Sequence, residues 1–241
     1  MKRAATILLA AALALGLAAC SAAPDSSVPA PDSSAPAAES ASEPAAAGSA
    51  ETADGGRILV AYFTVPETDG VDAVAGASRV VTDGEVLGNT QYIAQLIARQ
   101  TGGDLFAIQT VQEYPGSHDA LLEFAYNERA ENARPELAAA LENPGDYDVV
   151  FLGYPNWNAD LPMPLYTFLE QTDLSGKTII PFVTHGGSGF SRTVQTIREL
   201  QPDATVVEDG LSLSRNSVPD AAAEVEAWVS GLGLDAGAPG V

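Results

Sequence analysis

One cysteine, two histidines and two methionines in 241 residues leave several chemistries without their reagents. A lone Cys20 excludes intramolecular disulfides and cysteine-ligated iron–sulfur clusters, and it leaves the rest of the chain with no thiol nucleophile. Two histidines, His118 and His185, are too few for a convincing hydrolytic triad, and no Gly-x-Ser-x-Gly elbow accompanies them. Neither a Gly-x-Gly-x-x-Gly fingerprint nor a phosphate-loop lysine motif is present, which argues against a dinucleotide bound in the Rossmann manner and against ATP hydrolysis. Positive charge is equally scarce. Lys and Arg number 11 against 32 Asp and Glu, and residues 56–241 carry 9 basic and 26 acidic side chains, so nucleic acid is not an expected partner. The carboxylates show no spacing that picks out a metal site.

The longest apolar run, Ala4 to Ala19, follows Lys2 and Arg3 and is short for a bilayer span. Its layout is that of an export signal, and it ends in Leu17-Ala18-Ala19-Cys20, which resembles a bacterial lipobox with Cys20 as the lipidated residue. Residues 1–19 are therefore expected to be a lipoprotein signal peptide. From Ser21 to about Gly55 the chain is almost wholly Ala, Ser, Pro, Glu, Asp and Gly, without the large apolar side chains that offset ordering entropy. Residues 20–55 read as a lipidated cysteine and a disordered tether, with a reach of roughly 30 Å. This places the mature protein on a membrane surface, lipid-anchored, on the extracytoplasmic face. An acidic folded domain on such a tether suits brief, salt-sensitive encounters with a partner of basic surface.

Apolar runs alternate with helical patterns from residue 56 to 232, and residues 233–241 read as a flexible tail. Ile58–Phe63, Asp104–Ile108, Val149–Leu152, Thr178–Val183 and a weaker Ala204–Val207 predict strands, mostly unalternating and hence covered on both faces. Ile93, Leu96 and Ile97 predict a helix over Thr90–Gln100, and Ala221, Val225, Trp228 and Val229 one over Asp220–Ser230, with Trp228 as core packing. Five strands alternating with helices imply a parallel α/β sheet. Pro181 sits inside the fourth run, where its missing N–H predicts a local irregularity.

In such sheets ligands sit beyond the carboxyl ends of the strands. Two segments fall there, each after an apolar run and before a helical one: Gly153-Tyr154-Pro155-Asn156-Trp157-Asn158 and Thr184-His185-Gly186-Gly187-Ser188-Gly189. One offers an aromatic and the other glycines that permit close backbone approach, a pair suited to clamping a flat ring; the expected ligand is flavin mononucleotide, FMN. Gly88-Asn89-Thr90 opens the first helix, where free N–H groups, the helix dipole and the Thr90 hydroxyl favour an anion, with Thr64 facing them from the end of the first strand. Asn89 is the expected N-cap. The candidate cofactor residues are thus Thr64, Gly88, Asn89, Thr90, Pro155, Asn156, Trp157, Asn158, Thr184, His185, Gly186, Gly187 and Gly189. His185 is expected on the pyrimidine side of the ring, His118 carries no expected role, and Arg79, which could add charge at the phosphate, reads first as a solvated arginine.

Tyr62-Phe63-Thr64, Asp83 to Thr90, Gly153 to Trp157 and Thr184 to Phe190 together resemble a flavodoxin-like, FMN-binding bacterial lipoprotein family, over about Arg57 to Ser230. The resemblance implies a three-layer sandwich with a five-stranded parallel sheet in the order 2-1-3-4-5. In ordinary flavodoxins the phosphate loop joins the first strand to its helix directly, whereas here Val65 to Leu87 intervene, and Ser78 to Val86 within that insertion has the makings of a hairpin. Relatives tend to place two tryptophans and a glycine after the Pro-Asn, where this chain has Trp157, Asn158 and Ala159. Three functions remain open: a membrane-tethered electron carrier, an enzyme resembling the NAD(P)H:quinone oxidoreductases with a quinone as partner, and a flavin-free binding module.

Overall fold

The computed structural model describes residues 56–68 and 78–234; the expected signal segment and tether, with Cys20, lie outside the described residues, as do 235–241. The strands are β1 Ile58–Tyr62, β2 Arg79–Thr82, β3 Glu85–Gly88, β4 Asp104–Ala107, β5 Val149–Pro155, β6 Thr178–His185, β7 Thr205–Val206 and β8 Leu211–Ser214. The helices are α1 Asn89–Thr101, α2 His118–Ala130, α3 Met163–Gln171, α4 Thr193–Leu200 and α5 Ala222–Gly231. In α1, Ile93, Ala94, Ile97 and Ala98 recur at helical spacing and are all buried, and the helix stops at Gly102, whose φ of 69° and N–H bond to the Ala98 carbonyl form a left-handed cap.

The main sheet runs β4-β1-β5-β6-β7, with β8 also paired to β6, and every pairing in it is parallel. This is the order 2-1-3-4-5, with β7 and β8 sharing the fifth place. Helices cover both faces. One core cluster joins Leu59, Val150, Leu152 and Ile179 to Leu121 of α2, Leu165 and Phe168 of α3 and Ile197 of α4. The other joins Val60, Phe151, Ile180 and Phe182 to Ile93 and Ile97 of α1 and Val225 and Val229 of α5. Trp228 packs its ring edge-on against Phe151 at 5.7 Å, the core role expected of it.

The irregularity expected at Pro181 lies on one edge. Lys177 and Ile179 turn their carbonyls to β7, and His185 turns its own to the residue after β8, so odd-numbered residues of β6 face the fifth position. Pro181 therefore presents its donorless nitrogen to the break between β7 and β8. A second edge residue fits the same gap: a Cβ on Gly210 would lie 2.1 Å from the Pro181 carbonyl oxygen.

The insertion does contain a hairpin. β2 and β3 pair antiparallel across Asp83-Gly84, both at positive φ (50° and 81°), the two-residue turn that Asp-Gly favours. Val80 and Leu87 point into the α1 and α5 core, while their neighbours Val81 and Val86 are exposed. The hairpin thus packs as part of the domain and ends directly at the α1 N-terminus.

Candidate functional site

β1, β5 and β6 are neighbours in the sheet, and the chain leaves β1 towards β4 on one side while β5 lies on the other, so their carboxyl ends meet at the topological switch point. Most of the candidate residues are joined there by direct contacts. Thr90 and Thr184, 1 % and 4 % exposed, share a hydroxyl–hydroxyl hydrogen bond of 2.9 Å, which ties the first turn of α1 to the end of β6. Pro155 lies beside Thr184 in register, and Asn156 donates its backbone N–H to the Thr184 carbonyl at 2.9 Å. The Asn156 side-chain amide then bridges to the glycine loop, donating to the Gly189 carbonyl at 2.7 Å and to Ser191 Oγ at 3.1 Å.

The N-cap of α1 is Gly88, one residue earlier than expected, with Asn89 the first helical residue and 2 % exposed. The Gly88 N–H donates to Gln91 Oε1 at 3.2 Å. A Cβ on Gly88 would lie 2.0 Å from Thr64 Oγ1, so the glycine is what lets the first strand's end lie against the helix start. Arg79 corrects the expectation of a solvated side chain, for it is only 8 % exposed. Paired with Gly88 across the hairpin, it shares a face with the Gly88 α-position, opposite the core-facing Val80 and Leu87.

His185 is held at both nitrogens. Gly187 N–H donates to Nδ1 at 2.9 Å, so Nδ1 is unprotonated and Nε2 carries the hydrogen that reaches Ser212 Oγ at 3.1 Å. Desolvation pushes its pKa below the usual histidine value. Protonating Nδ1 would set two hydrogens face to face and release the glycine loop. The neutral-histidine contribution to stability is therefore present above the unfolded histidine pKa of about 6.5 and is lost as pH falls through the lower folded value. Between about pH 7.5 and pH 5, the wild-type protein is expected to lose more denaturant stability than His185→Gln; equal losses would remove this role.

Trp157 does not stand free over a ring. It is 8 % exposed and packs with Phe63 at 5.4 Å and Tyr114 at 5.6 Å, Tyr114 in turn meeting Phe124 edge-on at 5.2 Å. Below this cluster Tyr114 donates its hydroxyl to the Glu128 carboxylate, at 2.9 and 3.0 Å to its two oxygens. Burial raises the pKa of both groups. Beside it, a cleft of about 690 Å³ is lined by Thr64, Val65, Ile108, Gln109 and Tyr114, on the β4 side of the site. None of this partly buried pair was legible in the sequence, since a tyrosine and a glutamate 14 residues apart signal nothing until a loop folds back on α2.

Asn158 and Ala159 lie at φ 54° and 62°, and the backbone of Trp157 and Asp160 closes around them with two hydrogen bonds of 3.2 and 3.0 Å. Two buried polar atoms near this turn have no hydrogen-bond partner: Asn156 Oδ1, an acceptor, and Asn158 Nδ2, a donor. An unsatisfied donor and acceptor at the strand ends fit a heterocycle whose edge carries both, while Gly186 and Gly187 have nothing within 4 Å of where a Cβ would stand. Among the described residues no cluster of His, Cys, Asp or Glu is arranged to hold a metal ion, and no helix is long and apolar enough to cross a membrane.

The sequence model of the Flavodoxin family matches residues 78–232. The chain belongs to the flavodoxin family. Curated protein sequences give no match. Among solved structures, a candidate flavoprotein from Bacteroides eggerthii is 26 % identical with a TM-score of 0.50, covering 73 % of this flavodoxin-family chain and 97 % of its own. A second, from Bacteroides uniformis, is also 26 % identical, with a TM-score of 0.49 and coverage of 69 % and 97 %. A flavoprotein in complex with FMN from Lactobacillus acidophilus is 17 % identical, TM-score 0.49, with 70 % and 99 % covered. In this flavodoxin-family chain the β2–β3 hairpin stands between the first strand and α1, and the turn after Trp157 has Asn158 and Ala159 where the resemblance implied a second tryptophan and a glycine.

Proposed function

We propose that this protein binds FMN non-covalently and transfers electrons at a membrane surface, to which lipidated Cys20 tethers it. The observation that carries the reading is the contact chain at the switch point. Thr64, Gly88, Thr90 and Thr184 meet at the start of α1, and Asn156 links the β5 loop to Gly189. FMN would supply the redox chemistry. The protein's part is to receive its phosphate at the α1 N-terminus, with Thr64 and Thr90 hydroxyls and Gly88–Thr90 backbone groups, and to hold its ring between the Asn156–Asn158 and His185–Gly189 loops. Neutral His185, already engaged by Gly187, orders the glycine loop and keeps positive charge away from it.

A quinone or another flat acceptor is the favoured alternative to a protein partner, for one reason. The 690 Å³ cleft shares Thr64 with the cofactor cradle and lies in the size range of small-molecule sites. In that reading the domain is an NAD(P)H:quinone oxidoreductase, and steady NAD(P)H consumption with a soluble quinone, without an added reductase, selects it over the carrier.

Expression of the full chain in a bacterium that processes lipoproteins tests the reading. The membrane fraction is expected to carry the protein with a quenched, protein-bound flavin, and Cys20→Ser is expected to release it with its flavin retained. Membrane association unaffected by Cys20→Ser removes the tether, and folded protein that takes up no FMN removes the cofactor.

A further inference from the structure

The two-residue turn at Asn158-Ala159 is of a kind that accepts Asn-Gly readily and alanine poorly, because a Cβ in the left-handed region crowds the following carbonyl. Such a conformation persists only where its surroundings over-determine it. Here the surroundings come from α2. Arg129 Nη1 donates to the Asn158 carbonyl at 2.7 Å, and its Nε lies 3.2 Å from Asp160 Oδ2. One planar guanidinium thus grips both the corner of the turn and the residue that closes it, a double contact that a lysine ammonium on its flexible stem does not reproduce. Asp160 is fixed in turn, its Oδ1 accepting from the Leu161 N–H at 2.9 Å and from the Tyr166 hydroxyl at 3.0 Å. The Tyr166 pKa is pushed up to about 12 by burial and then by Asp160, so its hydroxyl stays a donor throughout the neutral range.

The turn also carries Asn158 Nδ2, buried without a partner, and Asn156 Oδ1, two residues earlier in the chain, is equally unsatisfied. Whatever sets the backbone at Asn158 therefore sets the donor that this residue offers.

We infer that Arg129 is a positioning residue of the ligand site: through the Asn158 carbonyl and Asp160 it holds the strained Asn158-Ala159 turn in the conformation that receives the flavin ring. The consequence for FMN rests on the function proposed above, whereas the clamp itself does not. With alanine at the second turn position the site depends on α2; with glycine there it would not.

Four proteins test this: wild type, Arg129→Met, Ala159→Gly and the double variant, with Arg129→Lys as the charge-conserving control. Each is titrated with FMN by flavin fluorescence and melted without FMN. Arg129→Met and Arg129→Lys are expected to weaken FMN binding about tenfold, equivalent to about 1.4 kcal/mol. Ala159→Gly in the Arg129→Met background is expected to restore most of that affinity, a rescue that general damage to α2 packing does not allow. The melts are expected to be coupled, Arg129→Met lowering the midpoint less when Ala159→Gly is already present than when it is introduced into the wild type. Wild-type affinity in Arg129→Met, or a loss that Ala159→Gly fails to recover, overturns the inference. If the wild type binds no FMN, the functional reading falls and the melts decide the clamp alone: coupled shifts uphold it and additive shifts overturn it.

Discussion

Gly153→Ala lowers the unfolding free energy by about 3 kcal/mol, the upper end of what over-packing a core costs. Gly153 lies in the middle of β5, between Tyr62 of β1 and Phe182 of β6 in register. A Cβ there would stand 2.0 Å from Phe182 Cζ and 2.3 and 2.7 Å from its two Cε atoms. The ring has no room to swing, for Phe182 is 1 % exposed and lodged among the residues of α1 and α5. Either the strands part or the ring leaves its well. At about 2–4 °C per kcal/mol for a chain of this size, the melting midpoint falls by roughly 6–12 °C. Shortening the obstructing side chain in Gly153→Ala/Phe182→Leu recovers part of the loss, because the two substitutions share one contact. An unchanged midpoint in the single variant would mean that the strand interior is not packed as described.

Gly88→Ala acts on the cradle instead. The new methyl overlaps the whole Thr64 side chain, at 2.0 Å from Oγ1, 2.8 Å from Cγ2 and 2.9 Å from Cβ, so no rotation of Thr64 clears it. The end of β1 must move off the start of α1, and the Thr64 hydroxyl leaves the α1 N-terminus. FMN affinity is expected to fall by at least about thirtyfold, about 2 kcal/mol, while riboflavin, which lacks the phosphate, loses far less. Thr64→Ala/Gly88→Ala removes the two shorter contacts and leaves only the one at 2.9 Å, and it is expected to regain part of the stability without regaining the full preference for FMN. Folded Gly88→Ala that binds FMN as the wild type does would separate the helix start from phosphate binding.

What the sequence made legible was what repeats locally. Val149–Leu152 and Ile179–Val183 are continuously apolar because both faces are covered, and the strand prediction found them, stopping short only where β5 and β6 run on into their loops. The α1 and α5 stripes were as plain. β8 escaped notice, since Leu211-Ser212-Leu213-Ser214 is four residues of alternation that only β6 explains. At the site, glycines and the Pro-Asn-Trp run marked the loops, but the contacts that shape them join residues far apart in the chain. Thr90 and Thr184 are 94 residues apart, Arg129 and Asn158 are 29 apart, and no local pattern pairs them. Trp157 shows the converse. Its position was evident and its surroundings were not, because Phe63 and Tyr114 close around it only in the fold.

The broken fifth strand bears on how many copies can sit together. A parallel sheet ends in a row of unpaired backbone groups that invites another chain to add itself, and a lipid tether would concentrate copies on one surface where such encounters are frequent. Here that edge is a two-residue strand and a four-residue strand separated by a gap, and the β6 residue facing the gap is a proline with nothing to donate. The opposite edge, β4, is also four residues long and is bound at Asp104 to Arg57 at 2.7 Å. Both edges are thus short runs, and on the β6 side the break at Pro181 shortens further the template that the sheet offers a neighbour.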